Sequence, residues 1–272
     1  MINLCIVLLI MATSCLEPFE INSEEVQSKI VIEALLTDQV QNQYVKISRT
    51  IDFNQGGKTP SIDNAIVKVT VDDGSVISYF HNPGQDVDSS GYYLSEIAFG
   101  GLIGSTYTLE VDFEGVLYSA SAEMLPVMAI DSLSYRLELD PDKGSLMDYY
   151  DVLMYSMEPQ EREDFYLFEF FQNGVLLNEN NEDVFVADDQ ALAEEINGLE
   201  FPFDYVLGDT AKIKIYSLSR ESYVFYADLV NVLQNDGGMF SPPAANPRTN
   251  LSNGALGLFQ VSAVVSDQLI IE

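Results

Sequence analysis

The chain has 272 residues, 47% of them hydrophobic, enough for a sizeable core and too many for a disordered acidic chain. It carries 43 Asp and Glu against 12 Lys and Arg, a formal charge of −31, so its surface repels phosphate backbones and argues against nucleic-acid binding. One histidine and two cysteines are too few for a zinc site of several His or Cys ligands.

Residues 1–14 hold no charged side chain, and residues 4–12 form a continuous apolar run. A run of that length falls short of the roughly 20 residues needed to span a bilayer, but it suits the h-region of a signal peptide. Ala12-Thr13-Ser14-Cys15 follows it and reads as a lipobox, with Cys15 as the lipid attachment residue and residues 1–14 as the removed signal peptide. The other reading is a buried N-terminal element with an ordinary core cysteine. Cys5 lies inside the apolar run and would leave with it, so the mature body would hold no thiol besides the lipidated one. Residues 15–28, rich in Glu, read as an acidic tether. The segment implies a membrane partner through the anchor.

From Lys29 onward, short apolar or alternating runs are broken by Gly, Asp, Asn and Pro, the pattern of strands and hairpins. Residues 29–37 predict a first strand, and Tyr44-Val45-Lys46-Ile47-Ser48 alternates cleanly. Residues 65–71 end at the turn Asp72-Asp73-Gly74, with residues 76–80 as the hairpin partner. His81 follows, between Phe80 and Asn82-Pro83-Gly84, and reads as a solvated loop residue; a Ser-His-Asp site would need it oriented. Asp86-Val87-Asp88-Ser89-Ser90-Gly91 resembles the start of a calcium loop, but position twelve is Ile97, with Glu96 one residue early, so an ordinary polar loop is expected. Strands are expected at 91–94, 104–111 and 116–123, the last two joined by a turn at Glu114-Gly115. Short strands with turns every 8–12 residues predict an immunoglobulin-like β-sandwich over residues 29–125.

Residues 126–272 are expected to form a second β-rich domain. Strands are read at 133–139, 151–157 and 164–172, the last reaching the turn Asn173-Gly174. Residues 188–197 have helical composition, with Asp188 at the start and Asn197-Gly198 at the end. Residues 212–216 alternate as a strand. Ser219 looks like an N-cap, and Tyr223, Tyr226, Leu229, Val230 and Leu233 recur at helical spacing, which predicts an amphipathic helix over 219–234. Closing strands are read at 256–265 and 269–271. The tyrosine pairs Tyr92-Tyr93 and Tyr149-Tyr150 offer sugar-stacking faces, although half of each pair is expected simply to fill a strand.

No nucleophile elbow, phosphate loop or dinucleotide fingerprint occurs, so no enzyme is expected, no catalytic residue is assigned and no cofactor or metal is called for. Paired carboxylates of a glycosidase could be hidden among so many acids. The order of motifs says more. The lipobox, Lys29-Ile30-Val31-Ile32-Glu33-Ala34, Val45-Lys46-Ile47-Ser48-Arg49-Thr50, Ala65-Ile66-Val67-Lys68-Val69, Ile130-Asp131-Ser132-Leu133, Tyr216-Ser217-Leu218-Ser219, Pro242-Pro243-Ala244-Ala245-Asn246 and Asn253-Gly254-Ala255-Leu256-Gly257-Leu258-Phe259 follow one another in this order. In this the chain resembles a family of Bacteroidota outer-membrane lipoproteins classed as domain of unknown function 4249. The resemblance implies a surface-facing lipoprotein encoded beside a TonB-dependent β-barrel receptor and assisting it in nutrient uptake. A stand-alone lipoprotein binding glycans or peptides is the alternative expectation.

Overall fold

The computed structural model describes residues 28–51, 59–81, 84, 89–138, 148–159, 162–177, 184–235 and 245–272. Among them lie sixteen strands and one helix, so the protein is mainly β.

Period-two burial organises the first unit. β1 (Ile30–Thr37), β2 (Tyr44–Arg49), β3 (Ile66–Val71), β4 (Val76–His81), β5 (Tyr92–Ser95), β6 (Thr106–Phe113) and β7 (Val116–Glu123) lie in one sheet with β15 (Leu256–Ser262), in the order β15-β1-β2-β5-β4-β3-β6-β7. Alternate residues point inward, among them Ile32, Leu36, Ile47, Val69, Leu109 and Phe259, and pack into a single core. The polar positions point outward and pair across strands, as Lys46 does with Glu33 at 2.7 Å and Lys68 with Glu110 at 3.0 Å. An apolar interior with ion pairs outside is the reverse of a membrane-spanning β-barrel.

This arrangement corrects the expected immunoglobulin-like sandwich. The eight strands form one curled, nearly closed sheet, and the closing strand comes from the far end of the chain. β15 lies parallel to β1, with Val31 opposite Leu256 and Thr37 opposite Ser262, and Leu125 just beyond β7 bridges Ser262. Alternation shows which residues face inward; it carries no information on where a sheet closes. The pairing needs Gly257, whose φ is +100°; a Cβ there would stand 2.1 Å from the backbone oxygen of Ile32.

The second unit has two sheets around an aromatic core. One contains β11 (Val175–Leu176), β10 (Phe165–Gln172), β14 (Thr210–Leu218) and β16 (Val264–Ile270), with β12 (Phe185–Asp188) also on β10. The other contains β13 (Glu195–Glu200), β9 (Tyr150–Met157) and β8 (Ser132–Leu137). Phe170, Phe185, Phe201 and Phe203 contact one another edge to face, with centroids 4.8–5.8 Å apart. The Asn173-Gly174 turn has φ of 54° and 83°, as a two-residue hairpin requires.

The helix read over residues 188–197 does not form. Asp188 does cap a turn, accepting a 2.9 Å hydrogen bond from the Ala191 N–H, but the chain then enters β13, which pairs with β9 from Glu195 to Glu200. Ile196 gains a place in the core that an exposed helix would not give it, so packing overrides propensity. The helix expected near 219–234 is present as α1 (Arg220–Leu233), with the Ser219 hydroxyl accepting from the Ser222 N–H.

The two units share a seam. β15 and β16 are separated only by the buried Ala263, so the chain steps from the curled sheet into the second unit within one residue. Ser217 stitches the crossing: its hydroxyl donates to the Leu125 carbonyl at 2.7 Å and accepts from the Ala263 N–H at 3.0 Å. A boundary drawn after residue 125 therefore leaves one strand of the first unit, and the seam itself, on the other side.

Candidate functional site

Beside this seam the units and α1 enclose a cleft of about 400 Å³. The outer face of the curled sheet supplies Glu33, Leu35, Tyr44, Leu258 and Gln260; β10 and β14 supply Leu167, Glu169 and Tyr216; α1 supplies Phe225, Tyr226 and Leu229. Each wall follows from the local pattern. Glu33, Leu35 and Tyr44 are positions of β1 and β2 that point away from the interior of the curled sheet, Glu169 is a partly exposed position of β10, and Tyr216 is a buried one of β14. The helix is only half-buried, with its aromatic stripe laid over the opening. Phe165 stacks on Tyr223 at 4.7 Å, which fixes the helix against β10.

Most polar atoms in the cleft are already engaged. Tyr226 donates to Gln260 Oε1 at 2.7 Å, and Gln260 Nε2 donates to the Ser262 hydroxyl at 2.9 Å. Glu33 pairs with Lys46, which lies 5.8 Å from the Tyr92 ring centre. Glu169 differs: its Oε2 accepts from the Tyr216 hydroxyl at 2.8 Å, and no described cation pairs with it. Lys214, opposite Glu169 in register, is turned onto the rings of Phe171 and Tyr216. Burial, reinforced by Glu169, pushes the Tyr216 and Tyr226 hydroxyls above their ordinary range; burial and then Tyr92 do the same at Tyr44. All three phenols therefore stay protonated at neutral pH, and the acidic side chains on the cleft walls are Glu33 and Glu169.

Cys15, Asp86 and Asp88 lie outside the described residues, so neither the lipobox nor the calcium-like loop is placed by the structure. Among the described residues, no three His, Cys, Asp or Glu side chains converge as a metal cage. His81 is the last residue of β4, half-buried, accepting a 3.0 Å hydrogen bond from the Gly91 N–H and tilted against Tyr93. It works as a structural acceptor where a solvated loop residue was expected. Tyr93 is buried and its hydroxyl donates to the Ile62 carbonyl, whereas Tyr92 faces outward beside Tyr44, with ring centres 5.7 Å apart. Tyr150 packs edge-on against Tyr135 at 5.7 Å.

Two buried acidic clusters carry no mark in the sequence, because nothing distinguishes their acids from the other carboxylates until the strands assemble. Tyr166 stands between two carboxylates, 3.0 Å from Glu158 Oε1 and 3.3 Å from Asp164 Oδ2, and Arg162 clamps Asp164. Asp209 is held by the Val206 N–H and the side-chain amides of Asn173 and Gln172. Burial alone would raise its carboxyl, but these hydrogen bonds outweigh it and hold the group below the usual carboxylate range. Both clusters tie loops to strands.

A profile of the family described as a domain of unknown function, DUF4249, matches residues 16–268. The chain belongs to the DUF4249 family. The match spans both units and the seam between them, and stops within the last strand. No curated protein matches the chain. Membership in DUF4249 assigns no residue a chemical role, and what the cleft can do follows from its own side chains.

Proposed function

We propose that this DUF4249 protein is an outward-facing, lipid-anchored outer-membrane protein that assists a TonB-dependent transporter in nutrient uptake. The observation that carries the reading is Ala12-Thr13-Ser14-Cys15 directly behind an uncharged apolar run, at the head of a chain that resembles lipoproteins encoded beside such receptors. Acyl chains on Cys15 would contribute about 0.8 kcal/mol per buried CH₂, so several of them hold a protein firmly. The body supports an anchor of this kind. Its charged outer face and net charge of −31 offer no favourable contact with anionic headgroups, and no helix among the described residues is long and apolar enough to cross a membrane.

On this reading the body acts by contact or capture, with the cleft beside α1 as the capturing element. The test is purification from native membranes under mild detergent. A large β-barrel receptor should accompany the protein in stoichiometric amount. Recovery as a free species, across detergents and growth conditions, overturns the transporter reading and leaves a stand-alone surface binder.

A further inference from the structure

The cleft has a definite chemical preference, whichever partner the protein serves. Its walls are aromatic and aliphatic, and its polar lining includes the carboxylates of Glu33 and Glu169 and the hydroxyl of Tyr44. Among the described residues, Glu169 is hydrogen-bonded by the Tyr216 phenol and paired with no cation, and the hydroxyl of Tyr44 has no hydrogen-bond partner. A neutral polyol would need several donors from the walls, but the Tyr226 and Tyr216 hydroxyls already donate to Gln260 and Glu169, and Gln260 donates to Ser262. A bare metal ion would need six or more oxygen ligands, and no such cage exists among the described residues.

The protein's own cations show what suits these rings. Lys46 lies beside Tyr92, and Lys214 beside Tyr216 and Phe171, each nitrogen under 6 Å from a ring centre. An ammonium group gains from the negative faces of such rings and gains more where water is partly excluded. The volume, about 400 Å³, is that of a small-molecule pocket.

We propose that this cleft binds a compact organic ammonium ion, its head held by Glu169 and the Tyr44 hydroxyl and its apolar body against Leu35, Leu229 and Leu258. The head donates to the free oxygen of Glu169, an interaction between charged partners in a half-enclosed site. The proposal does not depend on a transporter partner.

Calorimetric titration of the purified protein with n-butylammonium chloride tests it, with n-butanol and sodium chloride as matched controls. Saturable binding of one butylammonium per chain is expected, with n-butanol at least about tenfold weaker. Glu169→Gln keeps an acceptor for Tyr216 and should weaken butylammonium about tenfold or more, with an unchanged thermal midpoint. Tyr44→Phe should weaken it several-fold, and carries the test if the glutamine variant fails to fold. Glu221→Gln, on the exposed first turn of α1, should bind as wild type does. Equal binding of n-butanol, no saturable binding of butylammonium, or full affinity in both Glu169→Gln and Tyr44→Phe overturns the proposal.

Discussion

Gly257→Ala tests how the first unit closes. At φ +100° any residue with a Cβ is strained by about 1–3 kcal/mol. The added methyl would also meet the Ile32 oxygen at 2.1 Å and the Ile32 carbonyl carbon at 2.8 Å, both backbone atoms within the β1–β15 ladder. Relief requires β15 to move away from β1 by the better part of an ångström, weakening one or two ladder hydrogen bonds worth about 1 kcal/mol each. The total, about 2–5 kcal/mol, is a large fraction of the 5–15 kcal/mol that typically separates folded from unfolded chains. Urea unfolding followed by circular dichroism or tyrosine fluorescence measures it, since the chain has no tryptophan and 15 tyrosines. Gly254→Ala is the control: its φ is +73°, but no atom lies within 4 Å of the added carbon, so only the backbone strain of about 1 kcal/mol applies. If both variants unfold at the same urea concentration, within about 1 kcal/mol of wild type, the parallel closure by β15 is wrong.

Ser217→Ala should cost about 1–3 kcal/mol in the same assay, because the buried Ala263 N–H loses its acceptor; a cost below about 0.5 kcal/mol would deny the seam its role. Tyr205→Phe should leave stability unchanged or raise it, because the buried Tyr205 hydroxyl has no hydrogen-bond partner among the described residues; a loss above about 1 kcal/mol would reveal one. Asp209 has a folded-state pKa below its unfolded value, so its contribution is complete above the ordinary carboxylate pKa and fades as pH falls through the folded value. The stability gap between wild type and Asp209→Asn should therefore be constant from pH 7 down to about 4 and shrink below that; a gap that widens on acidification refutes the sign.

Much of the fold was legible as local pattern. Val116 to Glu123 is a strand to the residue, and Ser219 caps α1, because alternation and capping are properties of a few consecutive side chains. The pairing of β1 with β15 was not legible, since it joins residues more than 220 positions apart and leaves no local mark beyond Gly257. Residues 188–197 misled because their composition favours a helix while their burial, above all that of Ile196, is decided by β9. The cleft fell between these cases. Tyr223 and Tyr226 were visible as a helical stripe, yet Glu33, Tyr44 and Glu169 looked like ordinary outward strand positions until three elements brought them together.

The proposed function rests above all on lipid at Cys15 as the membrane anchor. Intact mass of the protein from native membranes, read together with detergent phase partitioning, tests it most directly. Expected are a mature N-terminus at Cys15 carrying diacylglyceryl mass, wild type in the detergent phase, and Cys15→Ala either in the aqueous phase or retained as uncleaved precursor. An unmodified N-terminus elsewhere, or a correctly cleaved Cys15→Ala protein that still partitions with membranes, would contradict it.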